Sequence, residues 1–185
     1  MPVNRIRRSI TLASVMLLSV AVPAHATWKT GIDKKTALIR ETERAVNTFK
    51  ETDPGLSRFF DTSYGWAVFP TVGKGGFGVG GAYGEGIVFE QGRIVGHTSL
   101  TQLSVGLQWG GQGYSEIIFF KDKEHLDKFK EGNFRLGAAV SAVVATLGAS
   151  ADADFSEGLA IFTNHKGGLM YEASVAGQKF KYWAY

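Results

Sequence analysis

Three glycines, Gly73, Gly75 and Gly78, have the spacing GxGxxG that lets a backbone approach a pyrophosphate in dinucleotide-binding proteins. The motif requires a strand before it and a helix after it, because the helix N-terminus faces the phosphates. The residues that follow here, 79–82, read Val-Gly-Gly-Ala and have no helical period. The spacing therefore predicts a bent pair of strands rather than a nucleotide site.

Metal ligation and catalysis find little support in the sequence. The three histidines beyond the N-terminal region lie far apart and lack the short spacing of zinc ligands: His97, His125 and His165. Asp152, Asp154 and Glu157 resemble a calcium loop, but Glu157 occupies the position where the sharp turn needs glycine. The chain has no cysteine and no GxSxG motif. We predict no catalytic site, no metal and no cofactor, with an envelope hydrolase as a weaker alternative.

The N-terminal 26 residues have the pattern of a secretory signal peptide. A basic head with Arg5, Arg7 and Arg8 precedes the apolar run 10–22, and Ala24-His25-Ala26 forms a small-residue cleavage site. The chain has 20 Lys and Arg against 17 Asp and Glu, so loss of the three arginines balances the charge. A neutral chain gives no support to nucleic-acid binding. We expect one domain, 27–185, that is periplasmic or secreted, with peripheral membrane association.

The sequence predicts both helices and strands. Apolar residues recur at three- and four-residue steps over 30–52, which predicts an amphipathic helix that ends at Asp53-Pro54. A short helical turn at 56–60 and a short helix after Asp122 are also expected. Period-two alternation predicts strands at 65–72, 76–82, 86–90, 93–100, 102–109, 115–120, 159–163, 168–175 and 179–185. The segment 134–155 also alternates and is predicted to be a strand.

Glycine dominates the middle of the chain, with 15 of the 24 glycines between positions 65 and 113. Glycine alternates there with apolar residues, so one face of the strands has almost no side chains. Such a sheet bends sharply or admits another molecule close to its backbone. We predict an α+β fold, mainly β: a curved antiparallel sheet or partial barrel, with an N-terminal amphipathic helix and one short additional helix.

Ordered blocks across the chain are similar to the SYLF-domain family. They read GWAVFPTVGKGGFGVGG over 65–81, GEG over 84–86, SVGLQWGGQ over 104–112, FRLGA over 134–138 and KGGL over 166–169. The resemblance implies a lipid-binding domain without known catalytic activity. Anionic phospholipid or a membrane surface is the implied partner; actin binding is not expected for an exported chain. A structural or protein-interaction module of the cell envelope is the alternative.

The resemblance also suggests which residues would meet the lipid. A basic N-terminal helix and the matched glycine block point to headgroup contacts at Lys34, Lys35, Arg40, Arg44 and Lys74. From the residues themselves, the aromatics in or beside the glycine-rich strands either pack in the core or contact acyl chains; for acyl contact we select Trp66, Phe69, Phe77 and Trp109.

Overall fold

A computed structural model describes residues 31–77, 79–105, 112–137, 140–165 and 175–185. The predicted signal peptide, Trp109 and nearly all of the predicted strand 168–175 lie outside these residues.

One seven-stranded sheet forms the body of the described structure. Its strands lie in the order β5-β6-β4-β1-β2-β3-β7, and every neighbouring pair is antiparallel except β5 with β6. The predicted α+β architecture, mainly β, with a curved sheet and an N-terminal helix is confirmed. The elements are α1 (Gly31–Thr52), a 3-10 turn (Pro54–Leu56), α2 (Ser57–Thr62), β1 (Gly65–Phe77), β2 (Val79–Glu90), β3 (Arg93–Val105), β4 (Gln112–Phe120), α3 (Lys123–Lys130), β5 (Val143–Val144), β6 (Leu159–His165) and β7 (Lys179–Ala184).

The glycine-rich strands are longer and fewer than predicted. The predicted strand 76–82 is wrong, because the chain reverses within it and Phe77 pairs with Val79 across the end of β1 and β2. Alternation continues through this reversal because antiparallel partners share a face, so the pattern alone does not reveal the turn. The turn from β2 to β3 is at Gln91-Gly92 as predicted, and both residues have positive φ (48° and 78°), as a type I′ hairpin turn requires.

Both faces of the sheet are covered, each by its own core. The α3 face has Phe69, Leu100 and Phe180 beneath α3, which contributes Leu126 and Phe129. The α1 face is the opposite one, and its core residues from sheet and helices are Val68, Ile117, Phe119 and Phe162 with Ala45, Phe49 and Phe59. Alternation along each strand sends successive side chains to opposite faces.

Helix α1 buries the stripe that its sequence predicts, with Thr42, Ala45 and Phe49 inaccessible or nearly so. Asp53 ends the helix and caps the 3-10 turn, since its carboxylate accepts from Gly55 N at 3.1 Å. The other carboxylate oxygen accepts from Ser150 N at 2.7 Å. Asp53 therefore also ties the end of α1 to a loop almost one hundred residues away.

The predicted strand 134–155 is mostly wrong. Only Val143 and Val144 of its described residues form a strand. Leu136 exchanges backbone hydrogen bonds with Gly177 and Gln178, and its side chain enters the α3-face core together with that of Val140. Apart from β5 and the isolated bridge of Arg135 to Lys179, the described residues of this segment pack over the sheet without joining a ladder. None of the helices in the described ranges has the length and apolar character needed to cross a membrane.

Candidate functional site

A row of paired residues crosses four strands on the α1 face, beyond the core under α1. Gly73 pairs with Tyr83, Tyr83 with Thr101, and Thr101 with Lys179. An isolated bridge between Arg135 and Lys179 extends the row. The residues beside this row in sequence, Val72, Ala82, Leu100 and Phe180, belong to the α3-face core, so the row points to the opposite face.

Glycines leave open space along this row and along the neighbouring Gly81–Leu103 pair. A Cβ atom at Gly73 would meet nothing within 4 Å, and one at Gly81 would meet only the Gln102 carbonyl at 3.4 Å. Gly81 pairs with Leu103, whose side chain is 83% exposed. The result is a groove of about 670 Å³ lined by Gly73, Gly81, Ala82, Tyr83, Thr101, Gln102, Leu103, Arg135, Gly177 and Lys179.

The groove combines apolar surface with positive charge. Tyr83 is 54% exposed, and its hydroxyl donates to Glu85 at 2.9 Å. Burial and this carboxylate raise the pKa of Tyr83, so its ring stays neutral. Arg135 and Lys179 are exposed at one side, and no carboxylate is among the residues that line the groove in the described part of the chain. Its chemistry suits an amphiphile with an anionic head.

A buried polar cluster lies on the α3 face beneath the groove. Glu116 is fully buried, and its Oε2 accepts from Gln178 Nε2 at 2.9 Å. Gln178 Nε2 also lies 3.1 Å from the hydroxyl of Tyr114. Burial raises the pKa of Glu116 to about 7; the Gln178 hydrogen bond and the positive charge of Lys74 oppose that rise.

The structure separates the five cations proposed for headgroup binding. Lys34 and Arg40 are exposed on α1, which packs on the same face as the groove. The Lys35 ammonium lies 3.3 Å from the ring centroid of Tyr185. Arg44 borders a different cleft of about 400 Å³ between α1 and the sheet, formed with Glu41, Ala45, Thr48, Pro70, Thr71, Ser115, Asn164 and His165.

Lys74 points to the α3 face instead, and its ammonium lies 4.9 Å from the ring centroid of Tyr114. Burial lowers the pKa of Lys74, and the charge of Glu116 opposes that shift. Lys74 is therefore near the buried carboxylate rather than in the groove. Its neighbour Gly73 lines the groove, but Lys74 does not.

The aromatic residues proposed for acyl contact are also dispersed. Trp66 stacks on Phe89 at 5.6 Å between ring centroids and is partly buried. Phe69 has no exposed surface and packs 5.7 Å from Phe180. The Phe77 side chain and Trp109 lie outside the described part of the chain. Trp66 and Phe69 do not line the groove.

Sequence reasoning missed the groove cations and the buried carboxylate. Arg135 and Lys179 are 44 residues apart and meet only through a bridge outside the regular strands, which leaves no local pattern. Glu116 did have a signal, because it alternates in phase with Tyr114, Ile118 and Phe120, which are predicted to face the core.

The described residues contain no group of three or more His, Cys, Asp or Glu side chains that could hold a metal ion.

Comparison with known proteins agrees with the resemblance in the sequence. Residues 101–182 match the family model described as Ysc84, Las17-binding protein actin regulator. The chain is also 28% identical over 162 residues to beta cell expansion factor A of Aeromonas veronii, a SYLF-family protein. The match covers 82% of this chain and 60% of that relative, so the chain spans about three fifths of the relative's length. The family is one of binding and regulatory modules, not a known enzyme family. The resemblance of the sequence to the SYLF family is thus confirmed by the match of residues 101–182 to the Ysc84 model.

Proposed function

We propose that this chain is a non-enzymatic module that binds anionic phospholipid at the groove on the α1 face. The observation that carries the proposal is the juxtaposition of a glycine floor, the exposed side chain of Leu103 and the cations Arg135 and Lys179. An acyl chain would lie over Gly73 and Gly81, where no side chain intervenes. The phosphate would meet the two cations.

The energetics of such a site divide into a salt-sensitive part and an apolar part. Each cation near an anionic membrane surface contributes about 1 kcal/mol, and salt screens this contribution. Burial of an exposed leucine side chain contributes about 1.5–3 kcal/mol and is insensitive to moderate salt. The exposed cations of α1, Lys34 and Arg40, would add long-range attraction to the same surface.

The compartment we propose is the periplasm or the exterior of a bacterial cell, because residues 1–26 have the pattern of a signal peptide. Phosphatidylglycerol, cardiolipin or a lipopolysaccharide-type anion would then be the available ligand. Actin is not proposed as a partner, since an exported chain does not meet it. The competing function is a module that binds a protein of the cell envelope.

The proposal is tested by co-sedimentation of residues 27–185 with lipid vesicles. We expect binding to phosphatidylglycerol-containing vesicles and little binding to neutral phosphatidylcholine. Lys179→Glu should weaken binding about tenfold or more at low salt, because it removes one attraction and adds one repulsion. Leu103→Ser should weaken binding at both low and high salt.

Arg93→Glu is the matched control, because it makes the same charge change at an exposed site. Arg93 opens β3, ten residues before Leu103 and so roughly 30 Å away along the strand. Equal weakening by Lys179→Glu and Arg93→Glu would mean that net charge, not the groove, governs binding. Absence of binding to every vesicle, with a folded protein, would favour the protein-interaction function.

A further inference from the structure

Gln178 connects the buried carboxylate of Glu116 to the rim of the groove. Its side chain donates to Glu116 Oε2 at 2.9 Å, while its chain neighbours Gly177 and Lys179 line the groove. Gly177 N also donates to the Leu136 carbonyl at 3.1 Å. The placement of the rim therefore depends on a side chain that is anchored on the other face of the sheet.

Two buried oxygen atoms in this link have no hydrogen-bond partner among the described residues: Oε1 of Glu116 and Oε1 of Gln178. With Glu116 ionised both atoms are acceptors, so they cannot bond each other. A proton on Glu116 Oε1 provides the missing donor. The acid and the amide can then form two parallel hydrogen bonds, which leaves neither buried oxygen unpaired.

The groups that face Glu116 do not supply an alternative partner. Lys74, on β1, is the nearby cation, but it forms no ion pair with Glu116 among the contacts of the described residues. Tyr114, on β4, has a pKa raised by burial and is neutral. His165, on β6, has a pKa lowered by burial and by Lys74, so it adds no charge near neutral pH. Thr163, also on β6 and paired with Glu116, has a buried hydroxyl that forms no hydrogen bond with any described residue, Glu116 included.

We propose that protonated Glu116 locks Gln178 in place and thereby holds the Gly177–Lys179 rim in its binding geometry, so that the groove binds anionic lipid more tightly in acid than in base. This inference rests on the function proposed above and adds its regulation. A rim that is already ordered loses less conformational freedom on binding. The pKa of Glu116, raised by burial to about 7, places the transition near neutral pH.

The experiment combines vesicle binding with amide hydrogen exchange of the lipid-free protein, each at pH 5.5 and pH 8.5. Phosphatidylglycerol vesicles are suitable because the phosphodiester stays ionised throughout this range. We expect binding about three- to tenfold tighter at pH 5.5, which corresponds to a rise of about half to one unit in the pKa of Glu116 on binding. Protection factors of the Gly177 and Gln178 amides should also be higher at pH 5.5.

Glu116→Gln should remove both pH effects, because an amide at this position stays neutral and can donate to Gln178 Oε1 at every pH. Glu43→Gln makes the same change at an exposed carboxylate on α1, away from the groove and Gln178, and should keep both. Histidines remain in both variants, so their titration does not account for the difference.

The outcomes separate the lock from the lipid site. Vesicle binding whose pH dependence survives in Glu116→Gln overturns the lock and leaves the lipid function standing. Protection factors that are the same at both pH values also overturn it. No vesicle binding, together with pH-dependent protection that disappears in Glu116→Gln, supports the lock and overturns the lipid function.

Discussion

Replacement of Glu116 by glutamine should make the protein more stable in base but not in acid. Glu116 is completely buried, and the described residues give its carboxylate a single hydrogen-bond donor, the neutral amide of Gln178. Desolvation of the ionised form raises the pKa to about 7, against 4.5 in the unfolded chain. Between pH 4.5 and about 7, Glu116 is therefore protonated in the folded state but ionised in the unfolded state.

The sign and size of the effect follow from this difference. Because the folded pKa is raised, the contribution of Glu116 to stability is full below pH 4.5 and declines as pH rises to about 7. At about 1.36 kcal/mol per pKa unit, the free energy of unfolding should fall by about 2 to 3 kcal/mol between pH 5 and pH 8 from this residue alone. Glu116→Gln has no proton to lose and escapes that decline.

Urea unfolding of both proteins at pH 5 and pH 8 measures the effect. We subtract the free energy of unfolding of the wild type from that of Glu116→Gln at each pH. This difference should be about 2 to 3 kcal/mol larger at pH 8 than at pH 5. Other titrating groups cancel in this comparison because both proteins contain them. A Glu116→Gln difference that is the same at both pH values would refute the argument, since Glu116 would then titrate alike in folded and unfolded protein.

Two further predictions concern the fold. Gly86→Ala should destabilise the protein by about 1 to 3 kcal/mol, because the new Cβ would lie 2.5 Å from the Val68 carbonyl and 2.8 Å from the Phe69 ring. Gly73→Ala should change stability little, because its Cβ would meet nothing within 4 Å, and chemical denaturation of both variants checks this contrast. Asp53→Ala should cost about 1 to 3 kcal/mol at pH 7, because it leaves Ser150 N without its acceptor and the 3-10 turn without its cap, and a stability loss below about 0.5 kcal/mol would contradict that role.

The sequence correctly predicted those caps and turns that depend on one or two local residues. Asp122 caps α3 by accepting from His125 N at 3.1 Å, and Gln91-Gly92 turns β2 into β3, both as their sequence indicates. The segment 134–155 was misassigned because its alternation of Leu136 and Val140 with small residues also fits irregular backbone that packs over a sheet. Its path depends on partners from β6, β7 and the residues before β7, which no local pattern reveals.

The candidate site was less accessible to sequence reasoning than the fold. A basic residue in an exposed strand position, such as Lys179, has the same local pattern whether or not it borders a groove. Its significance comes from pairing with Thr101 and Arg135, which depends on strand order. Lys74 is the converse case: the glycine-rich block drew attention to it, but only the strand pairing shows that it lies on the α3 face near Glu116.

Glycine has opposite roles on the two faces of the same strands. On the α3 face, Gly84 and Gly86 let β1 approach closely, because a Cβ at either position would overlap Val72 or Phe69. On the α1 face, Gly73 and Gly81 touch almost nothing and leave the groove open. Successive residues of a strand alternate between faces, so one glycine-rich stretch can both close a core and expose a bare backbone surface. A substitution on the α3 face should therefore lower stability, and one on the α1 face should alter binding with the fold intact.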